Sequence, residues 1–186
     1  MNKSILFGAM IMACTVTLSV SVPLLIDKGP FWPALLQPTP TLPAVVNKQY
    51  ENECGACHFA YQPGWLPARS WQRMMGSLDD HFDENAELSQ KVHDKITEYL
   101  IDESADVRSH RKSHSILASV REHEAPLRIS RLSYILYKHE EIPSHMISGN
   151  ASVRSSARCL ACHPGASKGR FDENDVNIPG YGLWEE

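Results

Sequence analysis

The sequence predicts a mostly α protein of short helices and long ordered loops. Three observations lead there. Apolar residues recur at helical spacing in several short stretches, while strand-like alternation is weak. Proline and glycine at 62–67 and 164–169 mark loops. Two CxxCH motifs, Cys54-Gly55-Ala56-Cys57-His58 and Cys159-Leu160-Ala161-Cys162-His163, stand far apart in the chain.

The motif spacing has a chemical reason. Cysteines three apart lie on one side of a helical turn. Each can form a thioether to one vinyl group of the same haem, and the adjacent histidine then lies under the iron. With 5 cysteines and 9 histidines in 186 residues, chance yields one such motif with odds on the order of 10⁻² and two with odds well under 10⁻³. Two other readings compete. A Cys₄ zinc site leaves the histidine after each pair unexplained, and its two pairs stand about a hundred positions apart, wide for a zinc ribbon. A disulfide within each pair is the other. Haem fits better. The expected architecture is therefore short helices and long loops wrapped around two covalently bound c-type haems. Cys54, Cys57, Cys159 and Cys162 are the attachment residues, and His58 and His163 the proximal ligands.

In chain order, Lys3 precedes an uncharged run over 4–26 that ends at Asp27. Residues 1–27 read as a signal peptide or an N-terminal membrane anchor. The run approaches the length of a bilayer span, and only Ser19-Val20-Ser21 suggests a cleavage site. Cys14 lies inside the run, which continues well past it, so it reads as a small apolar residue rather than a lipidation site. Residues 28–48 form a Pro-rich linker (Pro30, Pro33, Pro38, Pro40, Pro43), extended and semi-rigid. The first haem region spans 49–105 and the second 106–186, packed together as one dihaem domain. Helices are expected over 45–58, 70–80, 89–101, 131–139 and 152–163. The core is modest, so a prosthetic group is expected to supply much of the buried apolar surface. The net charge of −4 and the lack of a basic stripe argue against nucleic acid as a partner.

Seven histidines remain for the other side of the irons. Trp71, Met74, Met75, Leu78 and Phe82 follow helical spacing, and His81 falls on the same stripe. Leu132, Ile135 and Leu136 form a second stripe that His139 continues, with Ser130 as a cap and Pro143 beyond the end. His93 is the rival, at the edge of its helix stripe. His110, His114 and His123 sit in charged, polar stretches, and His145 in a loop. Met74 and Met75 read as core rather than as ligands. His81 lies 23 residues after His58, and His139 lies 24 before His163, so each site can be closed by a nearby segment. Crossed ligation stays open.

These residues resemble the small dihaem cytochrome c family of bacteria. The resemblance runs from about Tyr50 to Pro179. It is carried by 53–61, by Leu66-Pro67-Ala68-Arg69-Ser70-Trp71, by His81-Phe82 with Ala86 and Leu88, and by Tyr99-Leu100. Further on it rests on Leu127-Arg128-Ile129, His139-Glu140-Glu141-Ile142-Pro143, 159–165, Phe171-Asp172-Glu173 and Ile178-Pro179. It implies bis-histidine ligation with His81 and His139 distal. It also implies electron exchange in the periplasm, with a small monohaem cytochrome and a membrane b-type cytochrome among the partners and no small-molecule substrate. Residues 4–26 are the segment that could tether such a protein to the inner membrane. On this reading 102–124 is a variable connection. Phe59, Tyr61, Trp65 and Trp71 are haem-packing core, and Arg69, Arg73 and Arg158 are possible partners of haem propionates. Two alternatives remain: a dihaem peroxidase-like oxidoreductase, and a small dihaem subunit of a reductase complex.

Overall fold

The computed structural model describes residues 40–110 and 112–184. The expected signal or anchor and most of the linker lie outside the described residues. Among the described residues no helix is long and apolar enough to cross a membrane.

Among the described residues there are six short α-helices: α1 (Lys48–Cys54), α2 (Ala68–Met75), α3 (Gln90–Asp102), α4 (Ser113–Ala118), α5 (Ser133–Lys138) and α6 (Ser144–Ile147). Single 3₁₀ turns punctuate the loops, and a minimal hairpin pairs β1 (Asn177–Ile178) with β2 (Gly182–Leu183) in antiparallel register. Helices this short have little stability of their own, so tertiary packing must hold them.

α1 starts at Lys48 because Asn47 caps it, accepting a hydrogen bond from the Tyr50 amide at 3.0 Å. It ends at Cys54 with Gly55 as its C-cap, so the first CxxCH motif begins on the last helical residue and runs on through the following turn. α2 is amphipathic, with Ser70, Trp71 and Met75 buried. Its first amide group, on Ala68, donates to Asp106 Oδ1 at 2.7 Å. Opposite lies α3, which buries Ile96 and Leu100, one turn apart. Around this pair gather Leu42, Tyr50, Leu66, Ile116, Ile129 and Leu132.

The structure departs from the expected helices at three places. The helix expected over 70–80 stops at Met75, before Gly76, and resumes only as a 3₁₀ turn, Leu78–Asp80. The helix expected over 152–163 is absent apart from the 3₁₀ turn Cys159–Ala161. There Asn150 Oδ1 takes the Ser152 amide, Ser155 Oγ takes that of Ala157, and Arg154 adopts φ +67°. Side chains of this kind offer the backbone local partners that compete with helix. Finally, the connection over 102–124 is not merely polar. It contains α4 and supplies Ile116 and Val120 to the core.

Two consecutive residues after the first motif fasten the second motif's segment. The Tyr61 hydroxyl donates to the Ala157 carbonyl at 3.0 Å. Fully buried Gln62 donates from Nε2 to the carbonyls of Ala166 (2.8 Å) and Ser167 (3.3 Å), and its Oε1 accepts from Trp65 Nε1. Nearby, Gly169 takes φ +72° while its carbonyl accepts from the Thr41 and Leu42 amides. A Cβ there would lie 1.9 Å from the Leu42 carbonyl oxygen, so only glycine fits. Gln62→Ala strands the Trp65 indole N–H and two carbonyls in the core. It is expected to destabilise the protein by about 1–3 kcal/mol, read from the midpoint of denaturant unfolding.

Candidate haem sites

The first site forms where α1 ends. Cys54, its last residue, is half-buried, and burial, with Glu53 adding, pushes its thiol up to about 11. The following turn presents Cys57 and His58 at the surface. His58 Nδ1 lies 2.8 Å from the Phe59 carbonyl. A carbonyl only accepts, so Nδ1 bears the hydrogen and Nε2 keeps its lone pair for a metal.

His81 faces this ring from the end of the 3₁₀ turn Leu78–Asp80. The ring centroids are 6.3 Å apart and the planes 28° from parallel. A tight loop holds His81 in place: its amide donates to the Glu84 carbonyl at 2.7 Å, and Phe82 and Asp83 both adopt positive φ, +59° and +76°. Such a conformation is rare for a bulky residue. Phe82 is clamped by the Arg128 guanidinium, 4.1 Å above its ring. Burial lowers the His81 pKa, and His58 and Arg128 lower it further, so the ring is held neutral.

The second site is a cavity of about 1030 Å³ out to its open mouth. Cys159, Cys162, His163 and His139 line it, with Trp65 and Phe171 among its apolar walls. The Cys159 and Cys162 thiols are both raised by burial. His139 caps the C-terminus of α5 and sets its Nδ1 2.7 Å from the Ile135 carbonyl, which again leaves Nε2 free. Its ring stands 6.0 Å from that of His163, with the planes at 77°. Burial, with His139 adding, pushes the His163 pKa down to about 4, and its buried Nδ1 has no hydrogen-bond partner.

These donors fit a haem. A metal–imidazole bond of about 2 Å on each side, plus the reach from nitrogen to ring centre, sets two axial rings roughly 6 Å apart. Both observed pairs have that separation. The rings form two pairs, His58 with His81 and His139 with His163, each within its own half of the chain rather than crossed. A zinc site fits poorly. A Cys₄ site needs both thiol pairs at one ion, and it leaves the histidine after each pair without a role. Among the described residues no group of three or more His, Cys, Asp or Glu side chains is placed to hold a bare metal ion. The four cysteines are free thiols, so no disulfide closes either motif.

The remaining candidates separate cleanly. His93 engages both ring nitrogens, Nε2 with the Met75 carbonyl at 3.0 Å and Nδ1 with Asp94 at 3.2 Å. Two acceptors favour the doubly protonated ring, and the Asp94 hydrogen bond, then that of Met75, raises its pKa. Both of its nitrogens are already engaged. Met75 is buried in the core and Met74 packs against it. His114, His123 and His145 are exposed, while His110 is half-buried. Arg69 and Arg73 donate to backbone carbonyls of Arg121, Glu124 and Ala125, and so tie down a loop. Sequence reasoning passed over Gln62 and Arg128. A glutamine between Tyr61 and Pro63 carries no periodic signal, and an arginine before Ile129 reads as surface.

Two thiol pairs, each followed by a histidine that faces a second histidine, define a c-type cytochrome with two haem sites. The profile of the family described as dihaem cytochrome c matches residues 50–171. Among solved structures, a diheme cytochrome c from Shewanella baltica OS155 is 37% identical, with a TM-score of 0.62 over 75% of this chain and 98% of that one. A diheme cytochrome c from Rhodobacter sphaeroides is 36% identical, with a TM-score of 0.62 over 69% of this chain and 98% of its own. No curated protein matches. The chain belongs to the dihaem cytochrome c family: it binds two haem c and is a haem electron-transfer protein.

His93→Gln is expected to leave the visible spectra of both haems unchanged and to lower stability by about 1 kcal/mol, measured by absorption and denaturant unfolding. The ring planes generate a second expectation. Near-parallel imidazoles split the iron d orbitals they overlap, and near-perpendicular ones leave them almost degenerate. The oxidised protein should therefore give one ordinary rhombic low-spin EPR signal, from the 28° pair, and one highly anisotropic signal, from the 77° pair.

Proposed function

We propose that the protein is an exported, periplasmic electron relay whose two irons are both bis-histidine ligated, His58 with His81 and His163 with His139. The observation that carries this reading is the pairing of imidazoles at 6.3 and 6.0 Å, each pair beside its own CxxC thiols. Cys54 and Cys57 attach the first haem, and Cys159 and Cys162 the second. When bound, each haem supplies a one-electron Fe(III)/Fe(II) couple.

The protein's own part is to fill both axial positions and keep them filled. The Phe59 and Ile135 carbonyls orient His58 and His139 through Nδ1, and burial keeps His81 and His163 neutral. No axial position is left for peroxide or another small ligand, which favours a carrier over an enzyme. Two nitrogen ligands also hold the potential below that of a His/Met site. A small monohaem cytochrome and a membrane b-type cytochrome are partners of the right kind, and residues 4–26 are the segment that would tether the relay to the inner membrane.

His81→Met and His139→Met test the assignment. Each is expected to convert one haem, and only one, to a His/Met or high-spin species in low-temperature EPR, while mass spectrometry still finds two haems. Spectra identical to the parent's overturn the axial assignment. Rapid carbon monoxide binding to the unaltered reduced protein would favour the peroxidase-like alternative.

A further inference from the structure

We infer that Tyr61 couples the two haem sites, its ring lying against His58 of the first and its hydroxyl hydrogen-bonded to the segment that carries the second. The inference rests on the axial reading proposed above. The Tyr61 ring centroid is 5.3 Å from that of His58 and 4.4 Å from that of Phe59. Its hydroxyl donates to the Ala157 carbonyl at 3.0 Å, two residues before Cys159. One side chain therefore spans from the histidine of the first motif to the segment that leads into the second.

The span is held at both ends. The Tyr50 hydroxyl donates to the Tyr61 carbonyl at 2.8 Å, which fixes the backbone from which the ring projects. Beyond His163, Gln62 grips the carbonyls of Ala166 and Ser167. The second motif's segment is thus anchored before and after its cysteines by two neighbouring residues of the first site. Tyr61 is thus one of the side chains that hold the second motif's segment against the first site.

Electron tunnelling falls exponentially with the gap between donor and acceptor, so a residue that fixes the gap sets the internal rate of a relay. In the exchange one electron leaves one iron and arrives at the other. No bond is made or broken and no proton moves. Burial raises the Tyr61 phenol above its usual range. Tyr61 is a positioning and coupling residue, not a redox intermediate.

The test uses the mature, full-length holoprotein. EPR of the parent comes first: if its signals are not those of bis-imidazole haems, it is the axial reading that fails and not the Tyr61 link. Exchange between the haems is then followed after pulsed reduction of about half of them. Tyr61→Phe removes the hydroxyl bridge and keeps the ring. It is expected to slow the exchange several-fold, with the axial EPR signals unchanged. Tyr61→Leu removes the ring as well and is expected to slow it further. A Tyr61→Phe protein that exchanges at the parent rate overturns the inference. Should neither variant mature, the parent's Soret circular dichroism decides: a bisignate couplet supports closely held sites, and a single unsplit band overturns them.

Discussion

The structure depends on a buried side-chain amide. Gln62 is fully buried, and its amide donates to two carbonyls more than a hundred residues away and accepts from the indole of Trp65. A buried amide is costly to leave unmatched and so fixes one arrangement of whatever it joins. What it joins here are the segments after the two CxxCH motifs. In a chain whose helices are mostly two turns or less, such long-range links do what longer helices do elsewhere. The apolar packing follows the same route: Trp65 meets Phe171 edge-on at 5.0 Å, and Phe171 lies 5.5 Å from His163. The core of the first half thereby continues into the wall of the second site.

The two sites use one motif in two settings. The first lies on an open turn at a helix end, with Cys57 and His58 at the surface and His81 facing it from a strained loop clamped by Arg128. The second lies inside a cavity, where burial pushes the His163 pKa down to about 4. Exposure and ligand orientation both tune a haem iron. The fold thus makes two inequivalent sites from a repeated five-residue motif.

Much of this was legible in the sequence. The CxxCH pairs named six residues directly, because covalent attachment forces a fixed spacing. The apolar stripes singled out His81 and His139, and the structure sets each ring opposite a motif histidine. The stripe before His81 predicts an unbroken helix, whereas Gly76 ends it, and Leu136 of the second stripe is exposed. The segment over 152–163 failed for another reason. Its serines and Asn150 find local hydrogen bonds that no hydrophobic period reports. Gln62 was invisible because a buried polar residue is defined by partners distant in sequence. The backbone carbonyls that Arg69 and Arg73 hold were invisible for the same reason, since they lie some fifty positions away.

The account turns on four imidazoles and two irons, two rings to each metal. Near-infrared magnetic circular dichroism of the oxidised holoprotein reads axial ligands from the energy of the charge-transfer band. The account predicts that the full intensity of both haems falls at the position given by two nitrogen ligands. A band at the longer wavelength of a thioether ligand, or a high-spin signal from either haem in the unaltered protein, would contradict it.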